Sequence, residues 1–478
     1  MHAADLTITA LRELLDGRVL SCLELVDQLI TRTEAAGALN AYASFDAEAL
    51  RAQARQADAR IAAGERLPLL GIPIALKDNI DAVGFPCAAG TGALRGRAPM
   101  ADAELVLRLR AAGALIAGKA NMHELALGIT NNNAVTGAVH NPWDITRMPG
   151  GSSGGSGAAV AARLVPAAIG TDTGGSVRVP AALCGVVGLR PTVGRVPGDG
   201  IAPISATRDT GGPLARSIRD CALIDAVLAG DPTPLATTSL KGVRLGVPRS
   251  PFWDDLDGGV REVADSALNV LRQAGAELVE MGLPGVMEAS SEAGFPIALF
   301  EFVRDMRHYL ASRERGITLE QLIAGVGSPD VAGAVGPLLA GGAIPELVYE
   351  QALRARQRLQ GLYQAAFEKH RIEALVFPTT ARTAARIGED ETVELNGRAQ
   401  PTFLTFIRNT DPGSNAGIPG VTLPAGLAAG LPVGLALDGP AGSDRRLLAI
   451  AAAVEAALPP APLAPQALSK LPAPLPTR

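Results

Sequence analysis

The sequence predicts an α/β fold, in which strands and helices alternate along the chain and pack in layers. Three observations support this prediction. Short apolar runs end abruptly in polar residues, as at 67–76, where LPLLGIPIAL precedes Lys77. Amphipathic helical segments lie between such runs. Hydrophobic residues make up 47% of the 478 residues and charged residues only 19%, which allows a large core and excludes a disordered or collagen-like chain.

The first predicted elements are two helices between residues 6 and 35. An apolar stripe that includes Leu11 and Leu15 marks the first helix, and a capping box from Ser21 to Glu24 opens the second. The run 67–76 is a predicted buried strand, whose carboxyl end carries polar groups. A helix from Ala103 to Ala112 and a strand from Ala114 to Ala117 form the next unit.

Two glycine-rich loops follow this unit. The first, GGSSGGSG at 150–157, leads into a predicted helix at 158–163 and a short apolar strand at 165–169. The second, TDTGGSVR at 171–178, leads into a helix or turn of small residues that ends at Cys184. The second loop therefore follows directly on the predicted strand 165–169.

The remaining segments are predicted more coarsely. Residues 225–240 and 382–400 are predicted surface connections. The block 286–370 is predicted to be mainly helical, with a Gly-rich stretch at 324–343, and to form a cover or an insertion. The Pro- and Ala-rich tail 459–478 is predicted to extend over the surface.

Charge and composition exclude several classes of function. With 43 Lys and Arg against 48 Asp and Glu, the chain has a net charge of −5 and no basic run, so we expect no nucleic-acid partner. Apolar runs stay below about 18 residues and acidic residues interrupt the N-terminal segment, so we expect neither a membrane span nor a secretion signal, and a cytoplasmic location.

Metal and disulfide chemistry have little support in the sequence. The 4 cysteines contain no CxxC spacing, so neither a disulfide framework nor a zinc site is predicted. The 5 histidines are dispersed, with neither an HExxH nor an HxH motif, and His123 with Glu124 is interpreted as structural. We therefore expect no metal and no other cofactor.

Lysine is rare in this chain, and Lys77 is the most informative of the five. The other 38 of the 43 basic residues are arginines, which cannot lose their proton, whereas a desolvated lysine can act as a base. Because Lys77 follows an apolar strand, we hypothesise that it is largely neutral. The alternative is an ordinary ion pair with Asp78 or Asp172.

The loop 171–178 has the composition of an anion site. Thr173, Gly174, Gly175 and Ser176 would present successive backbone N–H groups at a helix N-terminus, which suits the oxyanion formed when a carbonyl is attacked. Ser176 then stands where a nucleophile would be placed. The alternative is a tight turn in which Ser176 caps the helix.

The loop 150–157 allows three interpretations. A phosphate cradle fails because no Lys follows the loop, and the other P-loop-like segment, 113–120, lacks the hydroxyl that holds magnesium. A G-x-S-x-G elbow would make Ser153 the nucleophile but needs a later histidine, and only His308 and His370 follow, both in helical settings. In the third interpretation a serine relays a proton between a base and another serine.

Taken together, three segments resemble the amidase signature hydrolases. The resemblance is densest from 71 to 213 and extends over most of the chain. The segments are GIPIALKDN (71–79), MPGGSSGGSGAAVAA (148–162) and GTDTGGSVRVPAALCGVVGLRPT (170–192).

This resemblance implies a fold and a domain organisation. It implies the amidase signature fold, a large twisted mixed β-sheet covered by helices on both faces, in a single domain over 1–478. In that domain, 1–60 would form N-terminal helices, 65–220 the catalytic core, and 286–370 the helical cover.

The resemblance also implies a Ser-cisSer-Lys triad, in which Ser176 is the nucleophile, Ser152 the bridging serine and Lys77 the base. The N–H groups of Thr173 to Ser176 would form the oxyanion hole, and catalysis would proceed through an acyl-enzyme. A substrate pocket is expected at 126–130 and in the block 286–370, and the alternative for the apolar residues of these segments is packing in the core. The residues of the first stretch are Ala126, Leu127, Gly128, Ile129 and Thr130.

Within the family, the segments 406–417 and 431–448 most resemble those of indoleacetamide and mandelamide hydrolases. That implies a small-molecule substrate, an arylacetamide-type primary amide, cut to a carboxylate and ammonia. The alternatives are the glutamine-hydrolysing subunit of a tRNA-dependent amidotransferase, an aryl amide, ester or carbamate hydrolase of the same family, and a catalytically silent binding protein. A homodimer is one option for the assembly.

Overall fold

The protein is described by a computed structural model that covers residues 2–339 and 341–465. The part of the predicted tail beyond 465 lies outside these residues. Eleven of the strands form one central sheet, and the other four form two short hairpins. The strands are β1 (Tyr42–Ser44), β2 (Pro73–Lys77), β3 (Leu115–Ala120), β4 (Asn132–Asn133), β5 (Gly137–Ala138), β6 (Ala167–Asp172), β7 (Val187–Arg190), β8 (Thr210–Ala215), β9 (Arg244–Pro248), β10 (Glu277–Gly282), β11 (Ala374–Pro378), β12 (Thr392–Leu395), β13 (Arg398–Pro401), β14 (Gly420–Ala428) and β15 (Leu431–Asp438).

The central sheet is mixed, with the strand order β1-β3-β2-β6-β8-β7-β14-β15-β11-β9-β10. The strand β2 is parallel to both of its neighbours, β3 and β6. The strands from β6 through β8, β7, β14 and β15 to β11 pair antiparallel, and β11, β9 and β10 are again parallel. The predicted α/β fold with a large mixed sheet is confirmed.

Helices pack against this sheet, among them α5 and α6 beside β6 and β7. Among the described helices, none combines the length and the apolar character that a membrane span requires. The helices are α1 (Ile8–Asp16), α2 (Cys22–Ala35), α3 (Ala47–Ala62), α4 (Glu104–Ala111), α5 (Gly154–Ala161), α6 (Arg178–Cys184), α7 (Ile218–Ala229), α8 (Arg249–Phe252), α9 (Gly258–Gln273), α10 (Val286–Ser312), α11 (Leu319–Ala324), α12 (Pro329–Leu339), α13 (Glu346–His370), α14 (Thr402–Ile407), α15 (Asp411–Ala416) and α16 (Asp444–Ala457).

The first part of the chain follows its sequence pattern, with one difference. The capping box is present, because the Ser21 hydroxyl accepts from the Glu24 amide and the Glu24 carboxylate accepts from the Ser21 amide. The apolar run 67–76, however, is a strand only from Pro73 onward. Its first residues form a turn, in which the Ile72 amide donates to the Leu69 carbonyl at 2.9 Å. The apolar character of that turn reflects its burial.

The helix after the first glycine-rich loop begins four residues before the predicted start, at Gly154. Glycine is a poor helix former, so the pattern indicates a loop. In this helix, close packing requires glycine. A Cβ at Gly154 would lie 2.7 Å from the Asn131 side chain, and one at Gly155 would lie 2.3 Å from the Asn121 carbonyl oxygen. Bulkier residues would push this helix away from the loop beside it.

Two coarser predictions also need correction. The segment 225–240 begins inside α7, and 382–400 contains most of the hairpin β12–β13. The prediction of a mainly helical block at 286–370 agrees with the structure, and its Gly-rich stretch 324–343 contains the helix α12. In these segments polar and glycine-rich composition marks exposure, because hairpins and short helices at the surface need few apolar residues.

Candidate active site

Lys77 ends β2, and its side chain is fully buried. Its Nζ atom donates a hydrogen bond to Ser152 Oγ at 2.8 Å and another to Thr171 Oγ1 at 2.8 Å. Thr171 belongs to β6, the parallel neighbour of β2. The ends of two adjacent strands therefore bring the lysine to the first glycine-rich loop, as expected for the carboxyl edge of parallel strands.

Lys77 forms no ion pair with any described residue, so the alternative of an ordinary ion pair is not supported. Asp78 lies 3.9 Å from the Lys119 ammonium instead. Asp172 is paired with Arg178 and Arg190, at 3.2 and 2.9 Å. Burial lowers the pKa of Lys77 to about 7, although the more distant charge of Asp172 opposes this shift. A buried lysine near neutrality suits proton transfer.

The two glycine-rich loops lie side by side. The amide of Ser153 donates to the carbonyl oxygen of Ser176 at 3.2 Å, and the peptide bond between Gly151 and Ser152 is cis. The Ser153 side chain is fully buried, donates to the Thr171 carbonyl at 3.2 Å and accepts from the Thr171 amide at 3.3 Å. Because Ser153 is bound to the backbone of β6, it is a poor candidate for a nucleophile.

The N–H groups of Thr173, Gly174, Gly175 and Ser176 donate no hydrogen bond to the described part of the chain. The Ser176 hydroxyl is also without a partner among these residues, and the residue is 8% exposed. The helix α6 begins at Arg178 with Val177 as its N-cap, so Ser176 does not cap it. Four consecutive unpaired donors beside a hydroxyl are suited to a developing oxyanion.

The ends of this loop are anchored by a buried carboxylate, that of Asp172. It accepts from the Val177 amide at 3.1 Å and from Arg178 Nε at 3.2 Å. Burial opposes ionisation of Asp172, but the charges of Arg178 and Arg190 outweigh it and hold its pKa well below the usual range. The loop is thus closed across its base by an ionised carboxylate.

Two carbonyl oxygens and one side chain of this loop form hydrogen bonds with residues that lie outside it. The Thr173 hydroxyl donates to Asp209 at 2.5 Å, and Arg208 donates to the Thr173 carbonyl at 3.2 Å. The Thr410 hydroxyl donates to the Gly174 carbonyl at 2.7 Å. These bonds hold the carbonyl oxygens of Thr173 and Gly174. The N–H groups of the same peptide planes therefore point the opposite way, away from the residues that bind the carbonyls.

A Gly175→Ala substitution is expected to damage the site without unfolding the protein. Gly175 has φ +144°, and a Cβ there would lie 2.2 Å from Thr410 Oγ1. If the Gly175 N–H binds an oxyanion, as the family resemblance implies, displacing the peptide should lower kcat by about 10²-fold, with a smaller change in KM. Gly361→Ala is the matched control, because a Cβ there meets nothing within 4 Å. Unchanged kcat in Gly175→Ala would contradict this role.

The predicted pocket stretch 126–130 lies beside the serine loop. A Cβ on Gly151 would be 2.9 Å from the Ile129 backbone, and one on Gly128 would be 2.1 Å from the His123 ring. The side chains of Ala126 and Ile129 are buried in two different apolar clusters, Leu127 is half-buried, and Thr130 is buried. Their contact with a substrate remains a prediction.

The sequence did not predict the part that two sets of residues play in this site. Thr171 accepts from Lys77 and, at 3.2 Å, from Asn79 Nδ2, and both residues lie within the segments that resemble the family. Arg208 and Thr410 hold the loop from segments far along the chain. His123 has the predicted structural role: Nδ1 accepts from the Asn131 amide at 3.1 Å, and Nε2 lies 2.8 Å from Asp330.

Comparison with known proteins gives concordant matches over nearly the whole chain. Residues 24–448 match the family model described as Amidase. The chain is 47% identical to an indoleacetamide hydrolase of Agrobacterium vitis, over 92% of this chain and 94% of that protein. It is 42% identical to a mandelamide hydrolase of Pseudomonas putida, over 96% and 92%. The native peptide amidase of Stenotrophomonas maltophilia superposes with a TM-score of 0.83 at 32% identity, over 96% and 98% of the two chains.

Proposed function

Because this chain belongs to the amidase signature family and is an enzyme that hydrolyses amide C–N bonds, we propose that its substrates are arylacetamide-type primary amides. The products would be the carboxylate and ammonia. The support is the similarity to two relatives whose named substrates share one chemistry, a primary carboxamide on a carbon that bears an aromatic ring.

In the proposed acylation step, Ser176 attacks the carbonyl carbon of the amide. Neutral Lys77 accepts a proton from Ser152 as Ser152 accepts the proton of Ser176, and the carbonyl π electrons move to the oxygen. The N–H groups of Thr173 to Ser176 would bind this oxyanion. As the carbonyl re-forms, the C–N bond breaks and the relay returns its proton to the nitrogen, so that ammonia leaves.

Deacylation would repeat these steps with water. Water adds to the acyl carbonyl while the relay accepts its proton, and the tetrahedral intermediate collapses with cleavage of the bond to Ser176 Oγ. The relay's proton returns to Ser176, and the product leaves as the carboxylic acid, which loses its remaining proton to solvent to give the carboxylate. One observation carries this mechanism: the 2.8 Å hydrogen bond from Lys77 Nζ to Ser152 Oγ, made by a fully buried lysine that has no counter-ion among the described residues.

The substrate class is tested by ammonia release from a panel of primary amides. We expect kcat/KM for indole-3-acetamide and for mandelamide to exceed that for acetamide by about 10²-fold or more, because the aryl group buries apolar surface. The aryl esters and anilides of the same acids test the breadth of leaving groups. Release from glutamine alone would overturn the proposal in favour of the glutamine-hydrolysing alternative.

A further inference from the structure

Asp438 is a fully buried carboxylate that the steps above do not use. It ends β15, and neither of its oxygens has a hydrogen-bond partner among the described residues. Oδ1 lies 3.8 Å from Arg178 Nη1, an atom that is also buried and unpartnered. A buried carboxylate without hydrogen bonds is costly, so its position next to this guanidinium calls for an explanation.

Two glycines make room for this carboxylate. A Cβ on Gly413 would lie 2.4 Å from Asp438 Oδ2, and one on Gly420 would lie 2.4 Å from Oδ1. The Cβ on Gly420 would also lie 3.1 Å from Arg178 Nη1, so the missing side chain leaves open the space between the two charges. The backbone on both sides therefore accommodates the pair of Asp438 and Arg178.

Arg178 connects Asp438 to the loop that carries Ser176. Its Nη2 atom donates to the Thr410 carbonyl at 3.0 Å, and its Nε atom donates to Asp172 at 3.2 Å. Asp172 and Arg178 flank residues 173–176 of this loop, and the Thr410 hydroxyl holds the carbonyl of Gly174 between them. A shift of this guanidinium would thus move the loop at both ends and at its middle.

We propose that Asp438 is a positioning residue for amide hydrolysis: it holds the free edge of the Arg178 guanidinium and thereby keeps Ser176 and the neighbouring amide donors in their reactive arrangement. This inference rests on the function proposed for that loop. Asp438 itself touches no reacting atom in the proposed steps. It acts through Arg178.

The charged and titratable groups that face Asp438 come from four elements: Arg178 of α6, Arg190 of β7, Asp172 of β6 and Tyr363 of α13. Burial raises the pKa of Asp438 to about 6, against the opposing charges of the two arginines. As the pH falls through about 6, the carboxyl becomes neutral and Arg178 loses one of its two counter-charges. The position of the loop should then be less well fixed.

The test is Asp438→Asn, which keeps the shape of the side chain and removes its charge. We expect kcat for a primary amide to fall by about 10- to 100-fold with KM within about twofold, because a small displacement of a reacting group is costly. Labelling of Ser176 by a fluorophosphonate should slow by the same factor. Because burial favours the neutral form of the Asp438 side chain over the carboxylate, removing its charge in Asp438→Asn should not lower the melting temperature at pH 8.

Two further variants make the test specific. Glu455→Gln removes a half-buried carboxylate that accepts from the Ile218 amide at 3.0 Å and whose pKa desolvation raises to about 7, and it should leave kcat unchanged. Gly420→Ala inserts a methyl group between Asp438 and Arg178 and should lower kcat as Asp438→Asn does. It also decides the matter if Asp438→Asn does not fold.

Wild-type kcat and labelling rate in Asp438→Asn would overturn the inference, and so would an equal loss in Glu455→Gln. Retention of activity in Ser176→Ala would instead overturn the proposed function. The two failures are therefore distinguishable.

Discussion

Replacing Ser176 with alanine is expected to lower kcat/KM for primary amides by about 10⁵- to 10⁶-fold, the loss typical of a removed serine nucleophile. The hydroxyl makes no hydrogen bond within the described chain, so its removal leaves no buried group unpaired. The free energy of unfolding should therefore stay within about 1 kcal/mol of the wild type. Ammonia release and thermal melting measure these two quantities, and fluorophosphonate labelling should be lost with the hydroxyl.

The neighbouring serine provides the matched control. Ser153→Ala removes a hydroxyl that accepts from the Thr171 amide, so it should destabilise the fold by about 1–3 kcal/mol and yet leave fluorophosphonate labelling in place. The reverse result, labelling lost in Ser153→Ala and kept in Ser176→Ala, would make Ser153 the nucleophile of a G-x-S-x-G elbow.

The effects of substitutions at residues that act as one relay should also be non-additive. If Lys77 acts only through Ser152 on Ser176, the double variant Lys77→Ala/Ser176→Ala should be no slower than Ser176→Ala alone. A further loss in the double variant would indicate that the lysine contributes by another route.

The part of the fold that sequence predicts well is the part where local pattern and tertiary packing agree. The capping box at Ser21 is a local interaction, and it forms as predicted. The late start of β2 and the early start of α5 are the opposite case. There, Leu69 is apolar because it is buried in a turn, and Gly155 is a glycine because the Asn121 carbonyl approaches it closely.

For the candidate site, sequence predicts the groups that belong to dense motifs and misses those that support them. Lys77 stands out because lysine is rare in this chain and this one follows an apolar run. Arg208 and Thr410 carry no such signal, because each is a single polar residue whose partner carbonyl lies far from it in the sequence. Only the folded chain brings them to the carbonyls of Thr173 and Gly174.

The second large effect is expected in Lys77→Met, which replaces the proposed base with a side chain of similar length that cannot accept a proton. A positioned general base contributes about 10²- to 10⁴-fold, so kcat/KM should fall by that factor. In the wild type the neutral lysine is the active form. The rate should therefore rise with pH through about 7 and then level off. If the pH–rate profile of Lys77→Met still rises with the same midpoint, the titration belongs to another group.

The titration of Lys77 should also make the stability of the fold depend on pH. The pKa of Lys77 is about 7 in the folded protein and ordinarily 10.5, so between these values the unfolded chain binds more protons and stability rises with pH. Below about pH 7 the folded protein bears the full cost of a buried ammonium. Lys77→Met removes that cost and should raise the melting temperature more at pH 6 than at pH 10.

The neighbouring strand supplies a control for that result. Lys119 is equally buried, at the end of β3, but its ammonium donates to the Ile80 carbonyl and lies 3.9 Å from Asp78. Lys119→Met leaves that carboxylate buried without its counter-ion, so it should lower the melting temperature at both pH values. If Lys77→Met were destabilising to the same extent at pH 6, Lys77 would be a structural cation, and the proton relay would lose its base.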